Sequence, residues 1–112
     1  MASILFFSLL INYQYACAEF LLKDYNKYKD VEGFKSYLVG FGRGMQWLNV
    51  VTESEGRKPL ICLPQKLSID ETMVLGIIEQ EIRKPSDGVP YKEDTSIELI
   101  AVRAFIGRFP CK

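Results

Sequence analysis

The chain has 112 residues, with 14 basic and 14 acidic side chains, three cysteines and no histidine. A chain of this length forms one domain, and its neutral charge balance and scattered basic residues do not make the basic face of a nucleic-acid-binding protein. Without histidine, Ser-His-Asp and Cys-His catalysis are excluded, and the commonest metal ligand is missing. Composition therefore predicts a protein that is not an enzyme and that takes no metal, cofactor or nucleic acid.

Residues 1–18 have the pattern of an export signal. Residues 4–11 form an apolar run, broken only by Ser8, which is too short to span a bilayer but fits the apolar core of a signal peptide. Ala16-Cys17-Ala18 then fits a cleavage site of small residues. We expect residues 1–18 to be removed and residues 19–112 to form a single mature domain outside the cytoplasm, with no membrane attachment.

Two alternatives for the N-terminal segment stay open. The stretch before the apolar run contains no Lys or Arg, whereas a signal peptide normally begins with positive charge. A lipoprotein acylated at Cys17 is one alternative, although Gln14 and Tyr15 occupy positions that usually hold small or aliphatic residues. The other alternative is that residues 4–15 form a buried N-terminal helix.

The cysteines predict one disulfide in the mature domain. Cleavage after Ala18 removes Cys17 and leaves Cys62 and Cys111 in an oxidising compartment, where they are expected to pair. A closed loop of roughly 50 residues stabilises a fold by about 4 kcal/mol in the chain-entropy model, which matters for a domain with a modest core.

Apolar periodicity and turn residues predict an all-α fold, a small bundle of about four to five helices. The predicted helices cover residues 20–30, 32–52, 68–84 and 95–108. Two capping boxes are expected to open the last two of these helices, namely Ser68-Ile69-Asp70-Glu71 and Thr95-Ser96-Ile97-Glu98. Gly56 and Pro85 are expected to end the second and third helices.

Helical spacing also predicts which side chains face the core. For the second helix these are Phe34, Leu38, Phe41, Met45, Leu48 and Val51; for the third, Ile69, Met73, Ile77, Ile78 and Ile82; and for the last, Ile97, Ile100, Ala101, Ala104 and Phe105.

Gly40 and Gly44 share one face of the second helix, and glycine in a helix interior costs about 1 kcal/mol relative to alanine. Glycine has no side chain, so this face could let another backbone approach closely. We therefore predict helix packing at Gly40, Gly44 and Trp47.

Two pairs of carboxylates are the remaining candidates for acid–base chemistry. We assign Asp70/Glu71 to helix capping and Glu79/Glu81 to a solvated helix face. The longest loop signal follows at residues 85–92, where two prolines flank a predicted turn.

Four short segments of the chain form a recognisable pattern: Tyr37-Leu38-Val39-Gly40-Phe41, Met45-Gln46-Trp47-Leu48-Asn49, Cys62-Leu63-Pro64 and Phe109-Pro110-Cys111. With these segments in this order, the chain from residue 33 onward resembles the Rap1a/Tai family of type VI secretion immunity proteins, and particularly the branch that neutralises peptidoglycan amidase effectors. The chain departs from that pattern at Ser36, where the family has glycine, and it lacks a further cysteine that family members often carry nearby.

The resemblance implies a periplasmic inhibitor that binds a peptidoglycan amidase effector and blocks its Cys-His active site. It also implies a helical homodimer with a protruding loop that enters the enzyme cleft. We map that loop onto residues 85–92, because two prolines lower the entropy lost on binding and aromatic anchors dominate interfaces. The expected effector-binding residues of the loop are Ser86, Asp87, Gly88, Val89, Tyr91 and Lys92, and an effector-binding or dimer face on the preceding helix comprises Glu79, Gln80 and Arg83.

Two other functions fit the same composition. One is a periplasmic chaperone of the acid-stress type, which would need exposed apolar surface. The other is an accessory subunit of an envelope complex. Well-capped helices and short tails favour the rigid inhibitor over the chaperone, and the accessory subunit stays open as an alternative.

Overall fold

The computed structural model describes residues 20–64 and 66–111, so the predicted signal segment and its cleavage site lie outside the described residues. A 3₁₀ turn at Leu22–Asp24 leads into four helices: α1 (Tyr25–Tyr28), α2 (Glu32–Ser54), α3 (Glu71–Arg83) and α4 (Ile97–Arg108). Two isolated backbone bridges are the β pairing present in the described part of the chain. The predicted small all-α fold closed by one disulfide is confirmed.

The core lies between α3, α4 and the first half of α2. Helix α4 packs chiefly on α3, and α3 in turn packs on α2. All five side chains predicted for the inner face of α4 are buried, and Phe105 is among the largest fully buried side chains. The buried residues of the other two helices are Phe34, Leu38 and Gly42 of α2 and Val74, Ile77, Ile78 and Glu81 of α3.

Helix α2 meets the core at Gly42 rather than at the predicted glycines. A Cβ built on Gly42 would lie 3.1 Å from Ile69 Cγ2 and 3.2 Å from the ring of Phe105, so the missing side chain lets α2 approach the core closely. A Cβ on Gly40 or Gly44 would meet no atom of the described residues within 4 Å. The predicted close helix packing at Gly40 and Gly44 is therefore not found within the described part of the chain.

The second half of α2 extends beyond the core. Leu48 is 67% exposed and Val51 is 48% exposed, so their predicted core role is wrong, and Trp47, predicted to pack against a helix, is also 67% exposed. The reason is length: α2 has 23 residues whereas α3 has 13. At 1.5 Å per residue, α2 is roughly 15 Å longer than the helix that covers it.

Both predicted capping boxes are displaced toward the C-terminus. Asp70 caps α3 by accepting the backbone N–H of Met73 at 2.9 Å, because the chain stays extended through Ile69 while that side chain enters the core. Ser96 caps α4 by accepting the N–H of Leu99 at 3.3 Å. Thr95 lies one residue before this cap, and its carbonyl accepts the N–H of Leu22.

The ends of the helices agree with the prediction. Helix α2 ends at Ser54, and Gly56 follows with φ of 73°, the left-handed conformation that terminates helices. Helix α3 ends at Arg83, just before Pro85. No helix in the described residues is long and apolar enough to cross a membrane.

Two connections close the fold. In the first, residues 20–22 pair with the backbone at the start of α4: the N–H of Leu22 donates to the Thr95 carbonyl at 2.8 Å, and the N–H of Ile97 donates to the Phe20 carbonyl at 2.7 Å. The other connection joins Cys62 to Cys111 through a disulfide, beside a backbone bridge between Ile61 and Pro110. The disulfide pairing predicted from the cysteine count is confirmed.

Candidate functional site

A buried carboxylate organises the loop between α3 and α4. Glu81 is only 6% exposed, and its two oxygens accept three hydrogen bonds: from the Ser86 backbone N–H at 2.8 Å, from the Ser86 hydroxyl at 2.6 Å and from the Tyr91 hydroxyl at 2.6 Å. A buried charge is tolerated when it is hydrogen-bonded in this way. One side chain of α3 therefore holds both ends of the loop.

The assignment of Glu81 to a solvated face is wrong. Glu81 follows Ile77 by four residues and Ile78 by three, so the helical period places all three on the buried face. The sequence contained this signal, together with a serine and a tyrosine a short distance downstream. Asp70, by contrast, has the predicted capping role.

Hydrogen bonding controls the ionisation of this group. Burial raises the pKa of Glu81, but hydrogen bonds from Ser86 and Tyr91 favour the carboxylate more strongly, and the net pKa lies below its ordinary value. Burial, the hydrogen bond to Glu81 and that group's negative charge raise the pKa of Tyr91 to about 12, against the opposing effect of Arg103. Tyr91 therefore stays protonated and donates to an ionised Glu81 at neutral pH.

Helix α4 holds the outer side of the same loop. Arg103 Nη1 lies 3.5 Å from Asp87 Oδ2, and its guanidinium carbon lies 5.9 Å from the centre of the Tyr91 ring. Both ends of the ion pair are about half exposed, so it contributes at most about 1 kcal/mol. Its main effect is to place the loop between two helices.

The tip of the loop is a tight turn. Gly88 has φ of 76° and donates its N–H to the Pro85 carbonyl at 3.0 Å, while Asp87 Oδ1 accepts the N–H of Val89 at 3.0 Å. The predicted turn at Asp87-Gly88 is confirmed. The turn projects Val89 outward, where it is 62% exposed.

The six predicted loop residues divide into two groups. Ser86, Asp87 and Tyr91 direct their side chains into contacts with Glu81 or Arg103. Gly88, Val89 and Lys92 are exposed, as Ser86 and Asp87 also are, whereas Tyr91 is half-buried. The first group holds the conformation of the loop, and the second lies on its surface.

The predicted face on α3 is split between two depressions. Glu79 accepts a hydrogen bond from Tyr25 at 3.0 Å and lines a pocket of about 270 Å³ together with Arg83. Gln80 instead lines a pocket of about 260 Å³ at the base of the loop, with Ser86. Only Gln80 of this group is therefore continuous with the loop surface.

A second surface, which sequence reasoning missed, is apolar. Leu48 of α2 and Leu60, which is 75% exposed, line a groove of about 320 Å³ together with Val102 and Ile106 of α4. The signal that could have revealed this surface is the difference in helix length. Leu48, Val51 and Leu60 lie near or after the end of the long helix α2, where the shorter helices do not cover them.

No cluster of three or more cysteine or acidic side chains suited to a metal ion occurs among the described residues. None of the protein-family models, curated proteins or solved structures with which the chain was compared matches it.

Proposed function

We propose that this protein is a periplasmic immunity protein that inhibits a type VI secretion peptidoglycan amidase effector by covering its Cys-His active site. The proposal combines the sequence resemblance described above with the geometry of the loop at residues 85–92. The observation that carries it is that contacts with α3 and α4 hold this loop in place while its tip is exposed.

Glu81 of α3 holds the loop with three hydrogen bonds, and Arg103 of α4 holds it with an ion pair. A loop that is ordered before binding loses less conformational entropy in the complex, and its contacts therefore yield more affinity. The exposed Val89 at the turn supplies an apolar contact for the cleft of an enzyme.

The charge around the tip also suits an enzyme cleft. Asp87 keeps Oδ2 at the surface in a weak ion pair with Arg103, and Lys92 is exposed nearby. When a partner approaches, Asp87 can accept hydrogen bonds from N–H groups of the cleft, and Arg103 can be repositioned at small cost. The Tyr91 side chain holds the loop through its bond to Glu81, so we assign the apolar contact with the enzyme cleft to Val89.

The test is an inhibition assay with purified, oxidised protein. The amidase is the product of the neighbouring gene, which should encode a cysteine amidase if the proposal is right. We expect tight binding in a pull-down and stoichiometric loss of peptidoglycan hydrolysis. Full hydrolysis in the presence of excess protein would overturn the proposal.

A pair of matched variants locates the contact. Val89→Asp places a charge at the loop tip and should abolish inhibition without lowering the melting temperature, because Val89 makes no core contact. Val50→Asp makes the same change on an exposed position of α2 and should leave inhibition intact. Full inhibition by both variants would show that the loop tip does not contact the amidase.

A periplasmic chaperone is the second candidate, and the apolar groove beside Leu48 and Leu60 favours it. Chaperones of this kind hold clients on exposed apolar surface. Suppression of client aggregation at low pH, with loss of that activity in Leu60→Ser and no binding to the amidase, would select this function instead.

A further inference from the structure

The apolar groove beside Leu48 and Leu60 is enclosed by three separate segments of the chain. Six apolar side chains line it: Met45 and Leu48 of α2, Leu60 and Ile61 of the segment that follows, and Val102 and Ile106 of α4. Its volume of about 320 Å³ lies at the lower end of the range of small-molecule sites. Such sites are mostly apolar and carry a few polar groups that orient the ligand. The size and lining of the groove therefore suit a small ligand.

The polar residues of the groove lie toward one end of it. They are Asn49, Thr52 and Lys58. Thr52 is in the last turn of α2, and the chain reverses after it: the N–H of Arg57 donates to the Thr52 carbonyl at 3.0 Å, which brings Lys58 back to the end of the helix. At the opposite end of the groove, Ile61 is part of the core and Met45 packs against it. The groove thus runs from an apolar inner end to a polar outer end.

The outer end carries a positive charge. Lys58 forms no ion pair with a carboxylate of the described residues, and the neighbouring Glu55 is already paired with Arg57 at 3.7 Å. The half-buried amide of Asn49 likewise makes no side-chain hydrogen bond within residues 20–64 and 66–111. The Thr52 hydroxyl, by contrast, donates to a backbone carbonyl one turn earlier at 2.8 Å. The outer end therefore offers an ammonium and an amide to an anionic group.

The length of the groove limits the length of the ligand. Met45 and Thr52 are seven residues apart on α2, which corresponds to about 10 Å along the helix axis. A fully extended covalent chain advances about 1.2 Å per bond, so roughly eight bonds span this distance. An unbranched chain of about nine carbons therefore reaches from the inner end of the groove to its outer end.

From these relationships we propose that the apolar groove binds a medium-chain fatty acid, an unbranched carboxylate of about eight to ten carbons. Its alkyl chain lies against Leu48, Leu60 and Ile106, and its carboxylate lies at the outer end, where Lys58 and Asn49 donate to it. Charge complementarity selects this ligand. A neutral alcohol or an apolar peptide would leave the ammonium without a partner, and a cationic amphiphile would be repelled by it.

The proposed ligand site is separate from the loop at residues 85–92. Arg103 of α4 pairs with Asp87 of that loop, whereas Val102 and Ile106 of the same helix line the groove. A bound fatty acid therefore leaves the surface assigned to the amidase uncovered. The proposal does not depend on the inhibitor function, and it can be tested without any amidase.

The first measurement is a calorimetric titration of the purified, oxidised protein with decanoate, below the concentration at which decanoate forms micelles. We expect saturable binding of one molecule per chain. From hexanoate to decanoate, affinity should rise up to about fourfold for each added methylene, because each buried methylene contributes a similar transfer free energy. Affinity should level off beyond about ten carbons, where the groove is filled. Affinity that keeps rising through tetradecanoate would indicate adsorption to open surface and would overturn the proposal.

Ligands with the same chain test the charge of the head group. Decanol and decyltrimethylammonium should bind at least about fivefold more weakly than decanoate. Lys58→Gln should remove most of the difference between decanoate and decanol. Lys23→Gln, at an exposed lysine that does not line the groove, is the matched control and should preserve that difference. Equal affinity of the unsubstituted protein for all three ligands would contradict an anion-selective site.

Leu48→Asp and Val50→Asp locate the ligand. Both positions are exposed on α2, so both variants should melt near the temperature of the unsubstituted protein, but only Leu48 lines the groove. We expect Leu48→Asp to abolish decanoate binding, because it places a negative charge beside the alkyl chain, and Val50→Asp to retain it.

Three further results would overturn the fatty-acid site. The first is the absence of saturable decanoate binding up to about 1 mM. The second is decanoate binding that is equal in Leu48→Asp and Val50→Asp. The third is an unfolded client that binds in the groove and is not displaced by decanoate, which would assign the groove to the chaperone function. None of these results depends on whether the protein inhibits an amidase.

Discussion

The hydroxyl of Ser86 occupies the space into which a side chain at position 107 would project. A Cβ built on Gly107 would lie 2.6 Å from Ser86 Oγ, and that same oxygen donates a hydrogen bond to Glu81 at 2.6 Å. A side chain at position 107 would therefore push against the hydroxyl that donates to the carboxylate and disturb that hydrogen bond. Glycine near the end of α4 is therefore part of what holds the loop.

Gly107→Ala tests this relationship. Alanine normally stabilises a helix by up to about 1 kcal/mol relative to glycine, but here we expect a net loss of about 1 kcal/mol because the Ser86–Glu81 bond must break. In a Ser86→Ala background the clash is gone, and the same substitution should be neutral or stabilising. Urea unfolding of the four proteins gives the coupling between the two positions. Additive effects would show that Ser86 and Gly107 do not constrain each other.

Glu81→Gln tests the support of the whole loop. The amide cannot accept all three hydrogen bonds and directs an NH₂ group toward donors, so we expect a loss of about 2 kcal/mol in the free energy of unfolding. Hydrogen exchange of the Ser86 amide, which donates to Glu81, should accelerate before that of the core of α4. Glu53→Gln, at an exposed position on α2, is the matched control and should change stability by less than about 0.5 kcal/mol.

Stability should fall in acid because of the same carboxylate. The pKa of Glu81 in the folded protein lies below its ordinary value of 4.5, so the unfolded state takes up the proton first as the pH decreases. The contribution of Glu81 is therefore complete above 4.5 and is lost as the pH falls through the lower, folded-state pKa. The stability difference between the unsubstituted protein and Glu81→Gln should therefore narrow as the pH falls below 4.5. A difference that stays constant over this range would mean that Glu81 is not ionised in the fold.

Some parts of this fold follow directly from the order of residues. The inner face of α4 was predicted residue by residue, because a short helix between two neighbours buries its whole apolar stripe. The ends of α2 and α3 were predicted from Gly56 and Pro85, whose backbone preferences act locally. The disulfide followed from having two cysteines left after the expected cleavage.

Other features depend on how far neighbouring elements extend, which periodicity does not report. Leu48 continues the apolar spacing of α2, yet none of the described helices reaches far enough to cover it. Among the three central glycines of α2, only Gly42 meets Ile69 and Phe105, and this choice depends on the angle at which the helices cross. Glu81 was misassigned because a charged residue was taken as solvated, although its position in the helix period pointed inward.

The disulfide provides the last prediction, on the stability of the whole domain. Cys62 and Cys111 are 49 residues apart, and closing a loop of that length stabilises the fold by about 4 kcal/mol in the chain-entropy model. The whole free energy of unfolding of a small domain is only about 5–15 kcal/mol, so loss of the disulfide should lower the melting temperature by about 15–30 °C. Circular dichroism melts with and without reductant measure this, and the Cys62→Ser/Cys111→Ser variant should melt at the reduced temperature under both conditions. The bridge between Ile61 and Pro110 joins the same two segments, so a melting temperature unaffected by reduction would mean that core packing and this backbone pairing suffice to hold them.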